Sequence, residues 1–228
     1  MIRTIALRPL VGALLALSAT FALAADPPAP AASAASAIAP AAADLIPADV
    51  PPPAVTLADN PDFGALREAY GRRVDFDVRC STARPAKAWN DAQQAKNFAL
   101  AYDIAEKWLQ TCPVSERMHM LATASATGLN DAAKVDMHKR WYFGLLRSVF
   151  ASGDGKTAAT AWKTISVPEE YVVLMALQMK PENQQLRMNP MVDVITARPV
   201  NGGDPVDIYF NPEWHFVRLQ RSLSAPKS

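Results

Sequence analysis

Few residues in the 228-residue sequence combine types and spacing that could carry chemistry. The two cysteines, Cys80 and Cys112, are too far apart for the Cys-x-x-Cys spacing of a redox pair and too few for a metal site. Two cysteines usually pair when a protein is exported to an oxidising compartment, which the N-terminal pattern described below predicts for this chain. We therefore predict a structural disulfide between them.

Glu169 and Glu170, followed by Tyr171, have the best context for acid–base chemistry. Paired carboxylates beside a cleft can divide the acid and base roles of a hydrolase. A helix that starts at Ser166 offers a simpler role for Glu169, which would complete a capping box and interact favourably with the helix dipole. No Ser or Cys nucleophile motif accompanies the scattered histidines, so no catalytic residue is assigned.

The four residues that we select as binding candidates are expected near one junction of the chain. His138 lies on a helix that leads into the loop Ser152–Gly155, and this loop contains Asp154. Glu170 and Tyr171 follow the first strand after that loop, so the returning chain would bring them near His138 or the loop. Polar groups among aromatic residues are typical of a ligand cleft, and these four residues are therefore the predicted binding residues.

Two further patterns suggest cofactors but lack essential ligands. Gly155–Thr157 is similar to the end of a phosphate-binding loop, yet Phe150 stands where the first glycine of that loop is required. Met118 and Met120 flank His119, but on a helix these two methionines point about 200° apart and cannot easily face one copper ion. We predict no cofactor and no metal site.

Apolar residues at helical spacing predict four helices in the first part of the domain. Their expected bounds are Asp62–Arg72, about Asp91–Thr111, Ser115–Gly128 and Asn130–Val149. Gly128 is expected to end the third helix in the left-handed conformation.

The segment from Asn97 to Pro113 resembles the second helix of a tetratricopeptide repeat. The resemblance covers barely one repeat and rests on small, apolar and proline residues, namely Ala101, Ala105, Trp108, Leu109 and Pro113. It implies helical hairpins with a concave face for a partner peptide or domain.

The pattern changes after Ala151, where short strands replace long helices. The predicted strands are Ala161–Ile165, Gln185–Met188, Met191–Ala197 and Val206–Phe210. A helix starts at Ser166, residues 201–204 (Asn-Gly-Gly-Asp) predict a hairpin, and a closing helix is expected from Trp214. The predicted fold class is α+β: repeat-like helical hairpins over residues 57–151, then a small antiparallel sheet with one or two helices over residues 152–228. We expect one compact domain over residues 57–223.

The N-terminal region has the pattern of an export signal. Arg3 and Arg8 precede the apolar run Leu10–Phe21, and Ala22–Ala24 fits the small-x-small site of signal peptidase. We therefore predict a signal peptide over residues 1–24, cleaved near Ala24 and Ala25. Residues 25–56 are dominated by alanine and proline, which predicts a disordered tether.

The charge balance limits the classes of partner. Lys+Arg 23 and Asp+Glu 22 leave a formal charge of +1, so the protein has no large field to attract nucleic acid. No stable membrane insertion is expected, because the N-terminal apolar run is too short for a transmembrane helix. A periplasmic or secreted location follows from the predicted signal, and the oligomeric state is left open.

Several motifs together resemble a bacterial family known as domain of unknown function 4919. They are Asp62–Tyr70, the helix of His138, Ser152–Lys156, Thr164–Tyr171 and Ile208–Asn211. The resemblance covers about residues 61–223. It implies the extent and class of the domain and supplies no catalytic residue.

The leading functional hypothesis is an exported, non-enzymatic module that binds a protein or peptide partner in the cell envelope. One alternative is a periplasmic hydrolase with an acid–base site between the two halves, where Asp154, Glu170 and His138 would act. Another is an immunity-type inhibitor of an exported toxin.

Overall fold

The computed structural model describes residues 44–81 and 83–224. Its helices are α1 Phe63–Gly71, α2 Phe76–Arg79, α3 Ala83–Gln94, α4 Phe98–Thr111, α5 Glu116–Gly128, α6 Ala132–Phe150, α7 Val167–Ala176 and α8 Glu213–Ser224. Its strands are β1 Trp162–Lys163, β2 Met179–Arg187, β3 Val192–Pro199 and β4 Val206–Asn211. The predicted α+β class, with helices followed by a small sheet, is confirmed.

Side-chain caps set the starts of several helices. Asp62 Oδ1 accepts hydrogen bonds from the backbone N–H of Gly64 and Ala65, 2.9 and 3.0 Å away. The Ser115 hydroxyl accepts from the N–H of Met118. Each cap satisfies a backbone donor that has no partner inside its helix.

The prediction of one helix from Asp91 to Thr111 is wrong, because the chain breaks between α3 and α4. Lys96 has a φ of 54°, which lies in the left-handed region, and the Asn97 side chain caps α4 by accepting from the N–H of Leu100. Apolar periodicity on both sides conceals this break. α3 therefore turns back against α4, and α4, α5 and α6 pack in chain order as helical hairpins.

Gly128 is helical and not the left-handed cap that the sequence predicts. Asn130 takes the left-handed conformation instead, with a φ of 56°. The reason for a glycine at position 128 is close packing, since an added Cβ would lie 2.5 Å from the ring of Phe98.

The sheet has the strand order β1-β4-β3-β2. β3 and β4 form the predicted antiparallel hairpin, in which Ile195 lies opposite Ile208. β1 pairs with β4 in parallel, so the sheet is mixed and not purely antiparallel. β2 begins at Met179, earlier than predicted, and a register shift between Pro181 and Asn183 accommodates the proline.

The core of this half lies between the sheet and helices α6 and α7. Its buried members are Leu146, Val149, Val172, Val173, Leu174, Ile195, Ala197, Ile208 and Phe210. Burial of these apolar side chains fixes α7 across the sheet, and with it the start of α7.

Residues 44–56 lie against the domain, although composition suggests that they belong to the tether. Leu45 is buried, and Ile46 exchanges backbone hydrogen bonds with Arg72 and Val74. The buried guanidinium of Arg73 donates to the carbonyl oxygen of Val50 at 2.7 Å. A few apolar residues and one buried arginine thus order a proline-rich stretch. The predicted signal peptide and the first part of the predicted tether lie outside the described residues.

No helix among the described residues combines the length and apolar character needed to cross a membrane.

The predicted disulfide joins Cys80, at the end of α2, to Cys112, at the end of α4. The two residues are 32 positions apart. Both sulfur-bearing side chains pack in a cluster with Phe76 and Val114. The cross-link therefore ties the chain before α3 to the start of α5.

We expect replacement of both cysteines by alanine to lower the free energy of unfolding by about 3 to 4 kcal/mol, because the cross-link no longer restricts the entropy of the unfolded chain over a loop of this length. Urea unfolding of the variant and the oxidised wild type measures the difference. Two labelled thiols in the denatured, unreduced wild type would contradict the pairing.

Candidate functional site

A cavity of about 330 Å³ lies where the helical half meets α7 and α8, and we call it the carboxyl cavity. Its walls are the end of α2, the disulfide, the starts of α5 and α7, and one residue of α8. The lining residues are Phe76, Asp77, Cys80, Ser81, Cys112, Val114, Ser115, Glu116, Arg117, Ile165, Ser166, Pro168, Glu169, Val172 and His215. Most of the wall is apolar, and two buried glutamates interrupt it.

Arg67 and Glu169 form a buried ion pair beside this cavity. Arg67 Nε donates to Glu169 Oε1 at 2.7 Å, and Arg67 Nη2 donates to Glu169 Oε2 at 2.9 Å. Glu169 Oε2 also accepts from the backbone N–H of Ile165. Burial alone would raise the pKa of Glu169, but the Arg67 guanidinium outweighs it and holds this pKa below the ordinary value.

Glu116 is the second buried carboxyl of the cavity, and its side chain has no such partner. It is 4 % exposed, and Arg67 Nε is 3.9 Å from its Oε1. This Oε1 has no hydrogen-bond partner among the described residues. Burial and the neighbouring Glu169 raise the pKa of Glu116 well above its usual range. The carboxyl of Glu116 therefore favours its protonated form more strongly than an exposed glutamate does.

His215 brings an imidazole from α8 to the same cavity. Its Nδ1 is buried and lacks a partner within residues 44–81 and 83–224. Burial, together with the charge of Arg218, lowers the pKa of His215. The cavity thus contains an imidazole with a lowered pKa and a carboxyl with a raised pKa, and each has a polar atom without a partner among the described residues.

Arg218 fixes the position of α8 and hence of His215. Its guanidinium is buried and donates to the backbone oxygens of Gly71 at 2.5 Å and Ile165 at 2.9 Å. It also forms two hydrogen bonds with the Asp77 carboxylate, at 3.0 and 3.1 Å. The negative charge of Asp77 is therefore balanced by the Arg218 guanidinium.

The Arg67–Glu169 pair lies between the carboxyl cavity and a second cavity of about 270 Å³. Glu169 lines the first, Arg67 lines the second, and Ile165 lines both. Several polar residues line the second cavity, including Glu68, Ser148, Ser152, Lys163, Asn211 and Glu213.

His138, a predicted binding residue, belongs to a buried hydrogen-bond chain inside the helical half. His119 Nε2 must carry a proton, because it donates to the carbonyl oxygen of Pro113 at 2.9 Å. His119 Nδ1 then accepts from His138 Nδ1 at 3.1 Å, and His138 Nε2 accepts from the Tyr102 hydroxyl at 3.0 Å. His138 lines neither cavity. These hydrogen bonds fix the tautomers of both histidines, which is typical of a pair with a structural role. A binding role for His138 stays a prediction.

The histidine pair should make the protein sensitive to acid. Burial lowers the pKa of His119 to about 3 and that of His138 to about 4. The unfolded chain therefore binds protons below about pH 6.5 that the folded chain does not, and the stability from this pair is lost as the pH falls from 6.5 towards 4. We expect the advantage of the wild type over a His119→Gln/His138→Gln variant to shrink by about 3 to 5 kcal/mol between pH 7 and 4.5.

Urea unfolding at both pH values tests this expectation. The difference between the two proteins isolates the histidines, because the buried carboxyls titrate in both. A difference that does not change with pH would show that the pair titrates normally.

Glu170 and Tyr171, also predicted binding residues, meet at Gln184 on β2. The Tyr171 hydroxyl donates to Gln184 Oε1 at 2.5 Å, and Gln184 Nε2 donates to Asp193 Oδ2 at 2.5 Å and to Glu170 Oε2 at 3.5 Å. Thr164 donates to the other Glu170 oxygen. Burial and the nearby Asp193 raise the pKa of Glu170 to about 9. Glu170 is thus a neutral acid in the core.

Asp154, the fourth predicted residue, lies in an exposed loop. Its Oδ1 accepts from the Thr160 hydroxyl at 2.5 Å and from the backbone N–H of Lys156 at 3.0 Å. These hydrogen bonds lower the pKa of Asp154. The structure therefore brings Glu170 and Tyr171 together and leaves His138 and Asp154 in separate networks.

The sequence analysis missed three residues of the site: Arg67, Glu116 and His215. Arg67 occupies a position on the apolar stripe of α1, between Phe63 and Tyr70, and an arginine at such a position indicates a buried charge. Glu116 and Glu169 each follow a capping serine, and capping is a sufficient local explanation for both. The Ser166 hydroxyl does accept from the Glu169 N–H, but the Glu169 side chain binds Arg67 and Ile165 instead of closing the box.

Across the described parts of the chain, no three His, Cys, Asp or Glu side chains come together as metal ligands would.

The chain belongs to the family described as Domain of unknown function (DUF4919), whose model matches residues 80–214, more than half of the sequence. The match includes Glu116 and Glu169 and excludes Arg67 and His215. The resemblance to this family is therefore confirmed, whereas the resemblance to a tetratricopeptide repeat is not and stays a prediction. No curated protein and no solved structure matches the chain.

Proposed function

We propose that the protein is an exported, non-enzymatic binding module that holds a peptide segment of its partner in the carboxyl cavity. The observation that carries this proposal is a cavity of about 330 Å³ with two unpartnered buried atoms on its lining residues, Glu116 Oε1 and His215 Nδ1. Buried polar atoms are almost always hydrogen-bonded, so a ligand that supplies the missing partners is the simplest reason to keep them.

The cost of the buried acids supports a functional role for them. A carboxyl that must stay protonated at neutral pH destabilises the fold relative to an unfolded chain in which it ionises. Glu116 and Glu170 both have raised pKa values. Such groups are typical of binding and catalytic sites.

Export to the periplasm is part of the same proposal. The Cys80–Cys112 disulfide supports it, because such bonds persist mainly in oxidising compartments. The predicted signal peptide would direct the chain to the envelope.

A library of random peptides displayed on phage and selected on the full mature chain tests this proposal. The key variant is Ser81→Trp, because Ser81 is exposed and lines the cavity, so a large ring there would obstruct it. Lys139→Trp is the matched control, since Lys139 is exposed on α6 and lines neither cavity. We expect selected peptides to bind the wild type and Lys139→Trp equally and to bind Ser81→Trp at least ten-fold more weakly. Equal binding to all three proteins, or no enriched peptide, would refute the proposal.

Hydrolysis is a second candidate, favoured by the raised pKa of Glu116 and the lowered pKa of His215 on one cavity. A neutral imidazole can accept a proton from water while a carboxyl donates one to a leaving group. Mass spectrometry of the selected peptides after incubation with the wild type and with Glu116→Gln distinguishes the candidates. Cleavage by the wild type alone would favour hydrolysis, and intact peptides would favour binding.

A further inference from the structure

We propose that the carboxyl cavity recognises a positively charged nitrogen, namely the ammonium group at the end of a lysine side chain in a bound peptide. The inference rests on the proposed function and names the chemistry of the group that the cavity takes. It follows from the charges around Glu116, the acceptors near it and the apolar wall that surrounds them.

The buried charges at the cavity leave one carboxyl without a cation. Arg67 binds Glu169 through two hydrogen bonds of 2.7 and 2.9 Å, whereas its closest approach to Glu116 is 3.9 Å. Asp77 is already bound by Arg218. Glu116 therefore has no counter-charge of its own, although it is 4 % exposed and lines the cavity. A ligand that brings one positive charge would balance it.

The free polar atoms match an ammonium group better than other ligands. Glu116 Oε1 is an acceptor without a donor, and His215 Nδ1 is a second acceptor when the other ring nitrogen carries the proton. An ammonium group has three N–H donors and could donate to both. An anionic ligand would lie beside the Glu116 and Glu169 carboxyls, and an apolar ligand would leave the Glu116 oxygen unpaired. Both are disfavoured in a buried site.

The rest of the wall fits the aliphatic arm of a lysine. Val114, Ile165, Pro168, Val172 and the disulfide present apolar surface to the cavity. Burial of the methylene groups against this surface would stabilise the complex by the hydrophobic effect. Arg117 is exposed at the rim of the cavity, and its positive charge disfavours a second cation nearby. The cavity therefore fits a ligand with one positive charge and not two.

Binding of the ammonium group would ionise Glu116 and release its proton, so the affinity should rise with pH. The ionisable groups that face Glu116 are Arg67 of α1, Glu169 of α7 and Tyr142 of α6. The other ionisable groups on the cavity wall are Asp77, Arg117 and His215. None of them provides a second free carboxylate for the ligand.

Two small probes that differ only at the charged end test the proposal. They are Nα-acetyl-lysine N-methylamide, whose side-chain ammonium group is free, and Nα-acetyl-norleucine N-methylamide. Each is titrated into the full mature chain at pH 6 and pH 8 with NMR detection. We expect the lysine probe to bind at least ten-fold more tightly than the norleucine probe at pH 8, and the preference to weaken at pH 6. Calorimetry in buffers of different ionisation enthalpy should show release of up to one proton.

Glu116→Gln is the test variant, because the amide closely matches the shape of the protonated acid and should leave the fold intact. Glu182→Gln, an exposed glutamate on β2, is its matched control. We expect the lysine preference and the proton release to disappear in Glu116→Gln and to persist in Glu182→Gln. Equal binding of the two probes to the wild type, or a lysine preference that survives Glu116→Gln, would overturn the inference. If selected peptides still bind and are blocked by Ser81→Trp, only this inference fails and the proposed function stands.

Discussion

Glu170→Gln is expected to stabilise the protein by about 3 to 5 kcal/mol at pH 8. The pKa of Glu170 is about 9 in the folded protein, because burial and Asp193 oppose ionisation, whereas an unfolded chain ionises the same group near its ordinary pKa of 4.5. The folded state therefore retains a proton that the unfolded state loses. Its stability is highest below pH 4.5 and falls as the pH rises towards 9. A glutamine cannot ionise and removes this loss.

Urea unfolding at pH 5 and pH 8 measures this effect. At pH 5 the variant and the wild type should differ little, since the acid is still largely protonated in the folded state and only partly ionised in the unfolded chain. Glu182→Gln is the control and should change the stability by less than about 0.5 kcal/mol, because Glu182 forms an exposed ion pair with Arg198. A variant that is less stable than the wild type at pH 8 would show that Glu170 is ionised in the fold.

Arg67→Met is expected to destabilise the protein by about 3 to 5 kcal/mol, because it leaves the Glu169 carboxylate buried without its cation. It also removes hydrogen bonds from Arg67 to the Ser148 hydroxyl and to the carbonyl oxygen of Lys163. Urea unfolding at pH 7 gives the difference. Arg117→Met should have little effect on stability, because Arg117 is exposed.

A double-mutant cycle separates the ion pair from the other contacts of Arg67. In Arg67→Met/Glu169→Gln no uncompensated charge remains from the pair, and the side-chain amide oxygen introduced by Glu169→Gln can still accept from the Ile165 N–H. We expect the double variant to be at least about 2 kcal/mol more stable than the sum of the single effects predicts. Strict additivity would mean that the two side chains do not interact in solution.

Local signals in the sequence were sufficient for most of the fold. The helix starts at Ser115 and Ser166 and the turn at residues 201–204 depend on a few residues each. Each is found where the sequence places it, although the Glu169 side chain does not close the predicted capping box. The break at Lys96 was missed because the apolar period continues across it. The parallel pairing of β1 with β4 was missed because only the folded chain brings Trp162 beside Phe210.

The candidate site depends on contacts that no local pattern reports. Arg67 and Glu169 are 102 positions apart, and Arg218 binds Gly71 from 147 positions away. The capping box offered a complete local explanation for Glu169, and this explanation concealed its buried ion pair with Arg67. The predicted residues Glu170 and Tyr171 do share a network, but it includes Gln184 and Asp193, which the sequence analysis did not select.

The position of the disulfide links the maturation of the protein to its proposed activity. Cys80 and Cys112 are part of the cavity wall, so the cross-link joins the end of α2 to the segment before α5, close to Glu116. A chain that still resides in a reducing cytoplasm would present this region without its cross-link. Under the proposed function, we expect the reduced chain to bind its ligand more weakly than the oxidised chain, so that oxidation of the two thiols would precede full binding.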